Sequence, residues 1–218
     1  MTTKTARVNK AQKEQKATQQ SFEAQALGAA DPSRVAAAMR KLAVASSANV
    51  GTDCYIHAAI GQAILSRLNI DAQLVIGYAA WRVGPGDGDI LVHAPVPNLP
   101  AQPGAEPYHV WLEIGNLVFD LTTYQLRSKA ANLDRLDGRH TEVRWCPDYL
   151  LVAKNTCASL PEVVNAYKWT YHYARNDAVA KRVKVLRALD PDDVEMALWL
   201  YNAPNAHIIG PNSLRTEE

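Results

Sequence analysis

The fold is decided by GTDCYIHAAIGQAILSRLNIDAQLVIGY, residues 51–78, together with a second stretch further along the chain. Apolar residues recur every three or four positions over residues 54–68, and this period predicts a helix with a wide buried face. Residues 72–78 are rich in β-branched and aromatic side chains and therefore predict a strand. The first stretch thus predicts a helix that turns directly into a strand.

The second stretch is HVWLEIGNLVFDLTT, residues 109–123. Residues 109–114 alternate between apolar and other side chains, and a second apolar run follows at residues 117–120. The intervening Gly115-Asn116 favours a two-residue turn, so Ile114 should pair with Leu117. The two stretches together predict an α+β fold in which a cysteine-bearing helix packs on an antiparallel sheet.

Three residues of these stretches could act together. Cys54 opens the predicted helix, His109 opens a strand, and Asp120 ends the next strand. A thiol at a helix N-terminus, with an imidazole beside it and a carboxylate to orient the imidazole, is the arrangement of an activated nucleophile. Each residue alone also has an ordinary explanation: Cys54 as a small buried apolar residue, His109 as a structural residue, and Asp120 as a turn cap.

The two stretches resemble the core of the transglutaminase-like cysteine protease superfamily. In that superfamily a Cys-led helix precedes a strand ending in Gly-Tyr, a His-x-Trp-x-Glu strand and a strand ending in Asp with Thr close by. The resemblance covers about a third of the chain and implies a papain-like fold, with Cys54 as nucleophile, His109 as general base and acid, and Asp120 as the orienting carboxylate. Members of the superfamily include peptidases, crosslinking enzymes, deamidases and noncatalytic relatives, so the resemblance does not name a reaction.

Further side chains are candidates for oxyanion or substrate contacts. In a departure from many members of the superfamily, no tryptophan precedes Cys54 to help shape an oxyanion site. We expect the backbone N–H of Cys54, and Asn49 if its loop folds back, as oxyanion donors. His57 follows Cys54 by one helical turn, where it is badly placed as a base and better suited to a structural or substrate-contact role. Trp111, beside His109 in sequence, completes these candidates.

The remaining sequence predicts further elements. Helices are expected from Asp31-Pro32-Ser33 onward, over residues 160–173 and over residues 191–201, with a strand over 149–153. Residues 83–107 hold so many glycines and prolines that we predict one long loop there, either a lid or binding surface or a variable insertion. His93 lies in this loop and is a candidate substrate contact. The aromatic residues of 167–173 should mainly fill the core.

Composition limits the class of protein. With 218 residues, 48% hydrophobic and 21% charged, the chain suits one soluble domain, predicted over residues 29–218. A polar extension that we expect to be flexible precedes it over residues 1–28. A net charge of +1 gives no reason to expect nucleic acid. We expect no membrane span, no cofactor and no metal, three free cysteines and a cytoplasmic location.

The resulting functional prediction is a cysteine-dependent amide or peptide hydrolase that works through an acyl-enzyme and acts on a peptide or protein. An acyltransferase, transglutaminase or deamidase of the same fold differs only in the acceptor and the acyl-side pocket. A noncatalytic binding or scaffold protein that retains the fold is the alternative of a different class. It predicts an ordinary thiol at Cys54.

Overall fold

The computed structural model describes residues 27–28, 30–46, 51–95, 107–183 and 189–211. Its α-helices are α1 (Pro32–Ser46), α2 (Cys54–Arg67), α3 (Leu126–Asp137), α4 (Leu160–Val164), α5 (Asp177–Val183) and α6 (Pro191–Asn202). Its strands are β1 (Gln73–Arg82), β2 (Ile90–His93), β3 (His109–Ile114), β4 (Leu117–Asp120), β5 (Leu150–Ala153) and β6 (Tyr171–Arg175). Two short 3₁₀ turns cover Thr123–Gln125 and Lys154–Thr156.

The six strands form one antiparallel sheet around the long strand β1. β3 pairs with residues 73–77 of β1 and β2 pairs with residues 79–82. β6 pairs with residues 77–81, so it must lie along the opposite edge of β1, because each edge of a residue can pair only once. β4 and β5 continue the sheet beyond β3. The α+β class predicted from the sequence is therefore confirmed.

The β3–β4 hairpin has the predicted register. Ile114 pairs with Leu117 and Leu112 with Phe119. Gly115 adopts the left-handed conformation, with φ of +56°, which glycine accepts without steric cost. Because side chains alternate between faces with a period of two, this register places the side chains of His109 and Asp120 on the same face of the sheet.

The sheet buries both of its faces. On one face, alternate residues of the hairpin such as Val110, Leu112 and Phe119 share an apolar core with α2, including Ile60 and Ile64. On the other face lie Trp81, His109, Trp111, Asp120 and Tyr173, and the apolar side of α3 packs there against Trp81 and Leu91. The polar candidates thus lie in a covered layer of the molecule.

Two predicted helices and one predicted strand need no correction beyond a residue or two at their ends. α1 begins at Pro32 after Asp31, whose side chain accepts hydrogen bonds from the backbone and hydroxyl of Ser33. α6 begins at Pro191 after Asp190, which caps it through the N–H of Asp192. β5 occupies the stretch predicted over residues 149–153.

The prediction of an unbroken loop over residues 83–107 is wrong in its first part. β1 extends through Arg82, and β2 forms at Ile90–His93 and pairs back onto it as a hairpin. Three glycines and one proline, Gly84, Pro85, Gly86 and Gly88, lie in the turn between these strands, while the Ile90-Leu91-Val92 run is β-branched enough to pair. Residues 96–106 lie outside the described ranges.

The predicted helix over residues 160–173 is also wrong. Only Leu160–Val164 is helical, started by a capping box between Ser159 and Glu162. Residues 171–175 form β6 instead, because the free edge of β1 offers backbone hydrogen-bond partners that a local pattern does not reveal. Tyr167 is almost fully exposed and Trp169 half exposed, so the aromatic run only partly fills the core.

Other expectations fall partly outside the described ranges. Most of the polar extension predicted over residues 1–28 does so, although Leu27 at its end is fully buried. Two helices of the structure, α3 and α5, were not expected from the sequence. No helix within the described ranges has the length and apolar character needed to cross a membrane.

Gly77 provides a test of this sheet arrangement. A Cβ added at Gly77 would lie 2.1 Å from the backbone oxygen of Ala174 on β6, whereas one added at Gly88, in the turn before β2, would meet nothing within 4 Å. We expect Gly77→Ala to lower the free energy of unfolding by about 1–3 kcal/mol, because backbone atoms must move apart. Denaturant unfolding measures this.

Gly88→Ala is the matched control and should leave the unfolding midpoint nearly unchanged. Equal stabilities for the two variants would contradict the close approach of β1 and β6 at Gly77.

Candidate functional site

Cys54 is the first residue of α2 and is buried, with 7% of its surface exposed. Amides in the first turn of a helix have no acceptor within the helix, so the backbone N–H of Cys54 is available to an anion. Asp53 precedes it as N-cap but makes no capping hydrogen bond with its side chain. The thiol therefore lies at the positive end of a helix in a largely dry environment.

A closed hydrogen-bond network holds the chain that leads into Cys54. The N–H of Gly51 donates to Oε1 of Gln125 at 3.0 Å, and Nε2 of Gln125 donates to the Tyr124 hydroxyl at 2.9 Å. His57 Nδ1 lies 3.1 Å from the carbonyl oxygen of Asp53, which can only accept, so Nδ1 carries the proton. His57 Nε2 then accepts from the Tyr124 hydroxyl at 2.9 Å.

Both ring nitrogens of His57 are thus engaged, and the predicted structural role of His57 fits this placement better than a substrate contact. Burial also lowers the pKa of His57, against the opposing effect of Asp53. A neutral imidazole locked between a carbonyl and a hydroxyl has no lone pair left to deprotonate Cys54.

His109 and Asp120 are fully buried and in contact. Nε2 of His109 lies 2.8 Å from Oδ2 of Asp120. The carboxylate accepts, so Nε2 of His109 carries a proton and the tautomer is set. In the neutral ring the lone pair must then be on Nδ1. The predicted pairing of Ile114 with Leu117 sets the register that brings these two side chains together.

Asp120 is a fully satisfied carboxylate. Its Oδ1 accepts from the backbone N–H of Thr122 at 2.8 Å and from the Thr122 hydroxyl at 2.9 Å. Its Oδ2 accepts from the Tyr173 hydroxyl at 2.8 Å as well as from His109. Burial alone would raise the pKa of Asp120, but the charge and hydrogen bond of His109, together with Lys129 and the Thr122 amide, hold that pKa far below its ordinary value.

The thiol of Cys54 lies close enough to the His109 ring for each group to shift the pKa of the other. Nδ1 of His109 is buried and has no hydrogen-bond partner of good geometry among the described residues. Because Asp120 holds Nε2, Nδ1 is the ring nitrogen left for the thiol. Burial raises the pKa of Cys54, but the hydrogen-bonding and electrostatic effects of His109, the charge of Lys129 and the Val110 amide bring it below its ordinary value.

The pKa of His109 shifts in the opposite sense. Burial lowers it, but the carboxylate of Asp120 more than compensates, and the Cys54 thiol adds to this effect, so the net direction is upward. A thiol pKa that falls and an imidazole pKa that rises favour proton transfer from Cys54 to His109. The site can therefore hold a thiolate–imidazolium pair.

Aromatic rings fix the position of His109. The Trp81 ring meets the imidazole edge to face, with centroids 4.8 Å apart and an interplanar angle of 89°. Trp111 stacks nearly parallel to it at 6.3 Å, and its ring N–H donates to Glu113 at 3.4 Å. The predicted candidate Trp111 therefore packs against the imidazole, and its one polar hydrogen is directed to Glu113.

Three contributors to the site were not found from the sequence: Trp81, Lys129 and Tyr173. Tyr173 links Asp120 to Trp81, whose indole N–H donates to the tyrosine hydroxyl at 2.9 Å. Tyr173 was expected on a helix, and its true position follows from the pairing of β6 with β1. No local signal identifies Lys129, which comes from the unexpected helix α3. Asn49, predicted as an oxyanion donor, lies outside the described residues.

His93 was expected in a loop but is the last residue of β2. It pairs with Ala79, and His109 pairs with Gly77, so the two histidines project from the same face at successive positions, with ring centroids 5.8 Å apart. Nδ1 of His93 lies 3.3 Å from the carbonyl oxygen of Tyr108 and must donate to it. Its Nε2 is buried and has no hydrogen-bond partner among the residues that the structure describes.

Burial drives the pKa of His93 well below its ordinary value, and the positive charges of Lys129 and His109 act in the same direction. With the proton on Nδ1, the Nε2 atom of the neutral ring is an acceptor. His93 therefore places a hydrogen-bond acceptor beside the catalytic candidates.

The other cysteines differ from Cys54, and all three are free thiols. Burial and the nearby charge of Glu113 raise the pKa of Cys157 to about 11. The Cys146 thiol donates to the carbonyl oxygens of Thr123 and Tyr124. Within the described ranges, no three or more His, Cys, Asp or Glu side chains are grouped as metal ligands.

Comparisons with known proteins bear on the fold. No family profile and no curated protein matches the chain. A crystal structure described as that of a genomics target resembles it with a TM-score of 0.56 and 17% sequence identity, over 78% of each chain. A likeness at this identity concerns the fold alone, so it supports the mixed α+β arrangement and leaves the site to be argued from its own geometry.

The pKa of the Cys54 thiol is lowered and that of the Cys157 thiol is raised, and this contrast can be tested directly. We expect the pH profile of alkylation at Cys54, followed by peptide mass analysis with iodoacetamide, to rise below the free-cysteine pKa of about 8.5. Cys157 in the same sample is an internal control and should react only at higher pH, in keeping with its pKa of about 11.

In His109→Ala the alkylation profile of Cys54 should move to higher pH, because burial still raises the pKa of the thiol and the imidazole no longer lowers it. Circular dichroism establishes that this variant is folded. Coincident profiles for Cys54 and Cys157 in the wild type would contradict the thiolate–imidazolium pair.

Proposed function

We propose that the protein is a cysteine-dependent amide hydrolase that forms an acyl-enzyme on Cys54. The observation that supports this most strongly is the 2.8 Å contact between His109 and Asp120, which leaves the lone pair of His109 on Nδ1. The buried thiol of Cys54 and the His109 ring also shift the pKa values of each other in the directions that favour proton transfer. We further propose that the α+β fold is the papain-like, transglutaminase-like core that the sequence resembles, and that the substrate is a cytoplasmic peptide or protein.

In the proposed acylation step, Nδ1 of His109 takes the thiol proton and the thiolate of Cys54 attacks the amide carbonyl carbon. The C–S bond forms and the carbonyl electrons move to oxygen, which the backbone N–H of Cys54 at the start of α2 is suited to stabilise. The tetrahedral adduct then collapses, the C–N bond breaks, and the leaving amine takes the proton from His109.

In the proposed deacylation step, water enters after the amine has left. Nδ1 of His109 removes a proton from the water, whose oxygen attacks the thioester carbonyl carbon. The C–S bond breaks, the acid is released, and the thiolate recovers its proton from His109. Asp120 stays ionised throughout and holds the ring through Nε2, consistent with its lowered pKa.

His93 favours an amide over an ester as the substrate. An amide with an N–H has a donor next to the reacting carbonyl, and an ester has none. The buried Nε2 of His93 has no partner within the described part of the chain and is suited to accept that hydrogen bond. The same acceptor would suit the N–H of an incoming amine, so an acyltransferase remains the second form of this proposal, with the same acyl-enzyme.

An activated ester tests the acyl-enzyme without knowledge of the natural substrate. With p-nitrophenyl acetate we expect a burst of nitrophenol and the mass of one acetyl group on the peptide that contains Cys54. Cys54→Ala should abolish both, and Cys157→Ala, the matched control, should retain both. His109→Ala should slow acylation by at least about 10²-fold, because general acid–base catalysis is lost.

Turnover to acetate supports hydrolysis, and capture by added methylamine supports transfer. A wild-type protein that folds but shows neither a burst of nitrophenol nor acetylated Cys54 would contradict the enzyme proposal and favour the scaffold alternative.

Two alkylating reagents test the role of His93. Iodoacetamide carries amide N–H donors and its N,N-dimethyl analogue carries none, although both react with the same thiolate. In His93→Phe we expect the rate with iodoacetamide to fall about two- to tenfold relative to the analogue, the loss expected for one hydrogen bond.

His172→Phe is the matched control, because His172 is a neighbouring histidine on β6 whose side chain projects from the opposite face of the sheet. It should leave the ratio of the two rates unchanged. An unchanged ratio in His93→Phe as well would contradict the proposed acceptor role.

A further inference from the structure

Lys129 is a buried lysine next to the candidate catalytic residues. Only 3% of its surface is exposed, and it projects from α3 between the apolar residues Leu126 and Ala130 of that helix. Its Nζ lies 5.1 Å from the centre of the Trp81 ring and 3.2 Å from the Thr122 hydroxyl oxygen. Burying an ammonium group is unfavourable unless other charges compensate it.

The hydrogen bonds around Lys129 have a defined direction. An ammonium group can only donate, so the Thr122 hydroxyl oxygen accepts from Nζ. The hydrogen of that hydroxyl is then free to donate to Oδ1 of Asp120, 2.9 Å away. Lys129 therefore orients Thr122 toward Asp120, whose other oxygen holds His109.

The charges that face Lys129 come from four elements. They are Cys54 and His57 of α2, His93 of β2, His109 of β3 and Asp120 of β4. The ammonium group stabilises the anionic forms of Cys54 and Asp120 and disfavours the cationic forms of the three histidines.

The reactive state of the site requires two buried anions, the thiolate of Cys54 and the carboxylate of Asp120. The imidazolium of His109 compensates only one of them. His57 and His93 do not supply the second positive charge, since burial lowers the pKa of both. Among the described residues, Lys129 can supply it, because its Nζ lies 3.2 Å from the Thr122 hydroxyl that binds Asp120 and its charge also acts on the thiol.

We propose that Lys129 is a positioning residue that balances the charge of the reactive site, so that the thiolate of Cys54 and the carboxylate of Asp120 exist together in a buried layer. This inference rests on the proposed function, because it concerns the ionised form of the nucleophile. Lys129 acts through Thr122 and through its charge, and it takes no part in bond making.

The test compares three substitutions at one position. Lys129→Gln keeps a donor for Thr122 but removes the charge, Lys129→Met removes both, and Lys129→Arg keeps both. The measurement is the pH profile of Cys54 alkylation by iodoacetamide in the full-length protein, with circular dichroism as the check on folding. Arg127→Met is the matched control, since it removes an exposed charge from the same helix.

We expect the apparent pKa of Cys54 to rise by about one unit or more in Lys129→Gln and Lys129→Met, since an uncompensated anion then remains buried. Lys129→Arg and Arg127→Met should keep the wild-type profile. Should Lys129→Met fail to fold, Lys129→Gln carries the test, because its amide occupies similar space.

The outcomes separate the two proposals. A wild-type thiol that titrates like free cysteine would overturn the proposed function itself. A low wild-type pKa that is unchanged in folded Lys129→Gln would leave the proposed function standing and overturn only the role of Lys129.

Discussion

The hydrogen bond between Asp120 and His109 is the interaction on which the site depends. A fully buried carboxylate is costly unless it remains charged and paired. Asp120 meets this requirement with four hydrogen bonds, from His109, from the Tyr173 hydroxyl and from the backbone and side chain of Thr122. These bonds also leave the lone pair of His109 on Nδ1, the nitrogen available to the Cys54 thiol, so the interaction that stabilises the carboxylate determines the chemistry of the imidazole.

The same interaction ties the site to the fold. The two-residue turn at Gly115 sets the register of β3 and β4, and a slip of one residue would move Asp120 to the face that packs on α2. The pairing of β6 with β1 then brings Tyr173 onto the site face, opposite Ala79. The carboxylate is therefore satisfied only when the β3–β4, β1–β3 and β1–β6 pairings are all correct, so the geometry of the site depends on that of the sheet.

The features of the fold and the site that could be predicted are those that depend on local sequence patterns. The period of α2, the hairpin turn and the order of Cys54, His109 and Asp120 are visible within short windows of sequence. Tyr173 and Lys129 could not be predicted, because their positions depend on long-range pairing and packing. The helix predicted over residues 160–173 was wrong for the same reason. Residues 171–175 form a strand because they pair with the edge of β1, and the local pattern does not reveal that pairing.

A comparison of His57 and His109 distinguishes a structural histidine from a catalytic candidate. Both are buried, both lie near Cys54, and each has one nitrogen held by an oxygen. The second nitrogen of His57 is occupied by the Tyr124 hydroxyl, whereas the second nitrogen of His109 is left for the thiol. Burial lowers the pKa of the first ring, and Asp120 raises that of the second. Only His109 can accept a proton from Cys54 and be stabilised once it carries it, so the difference lies in the partners and not in distance along the chain.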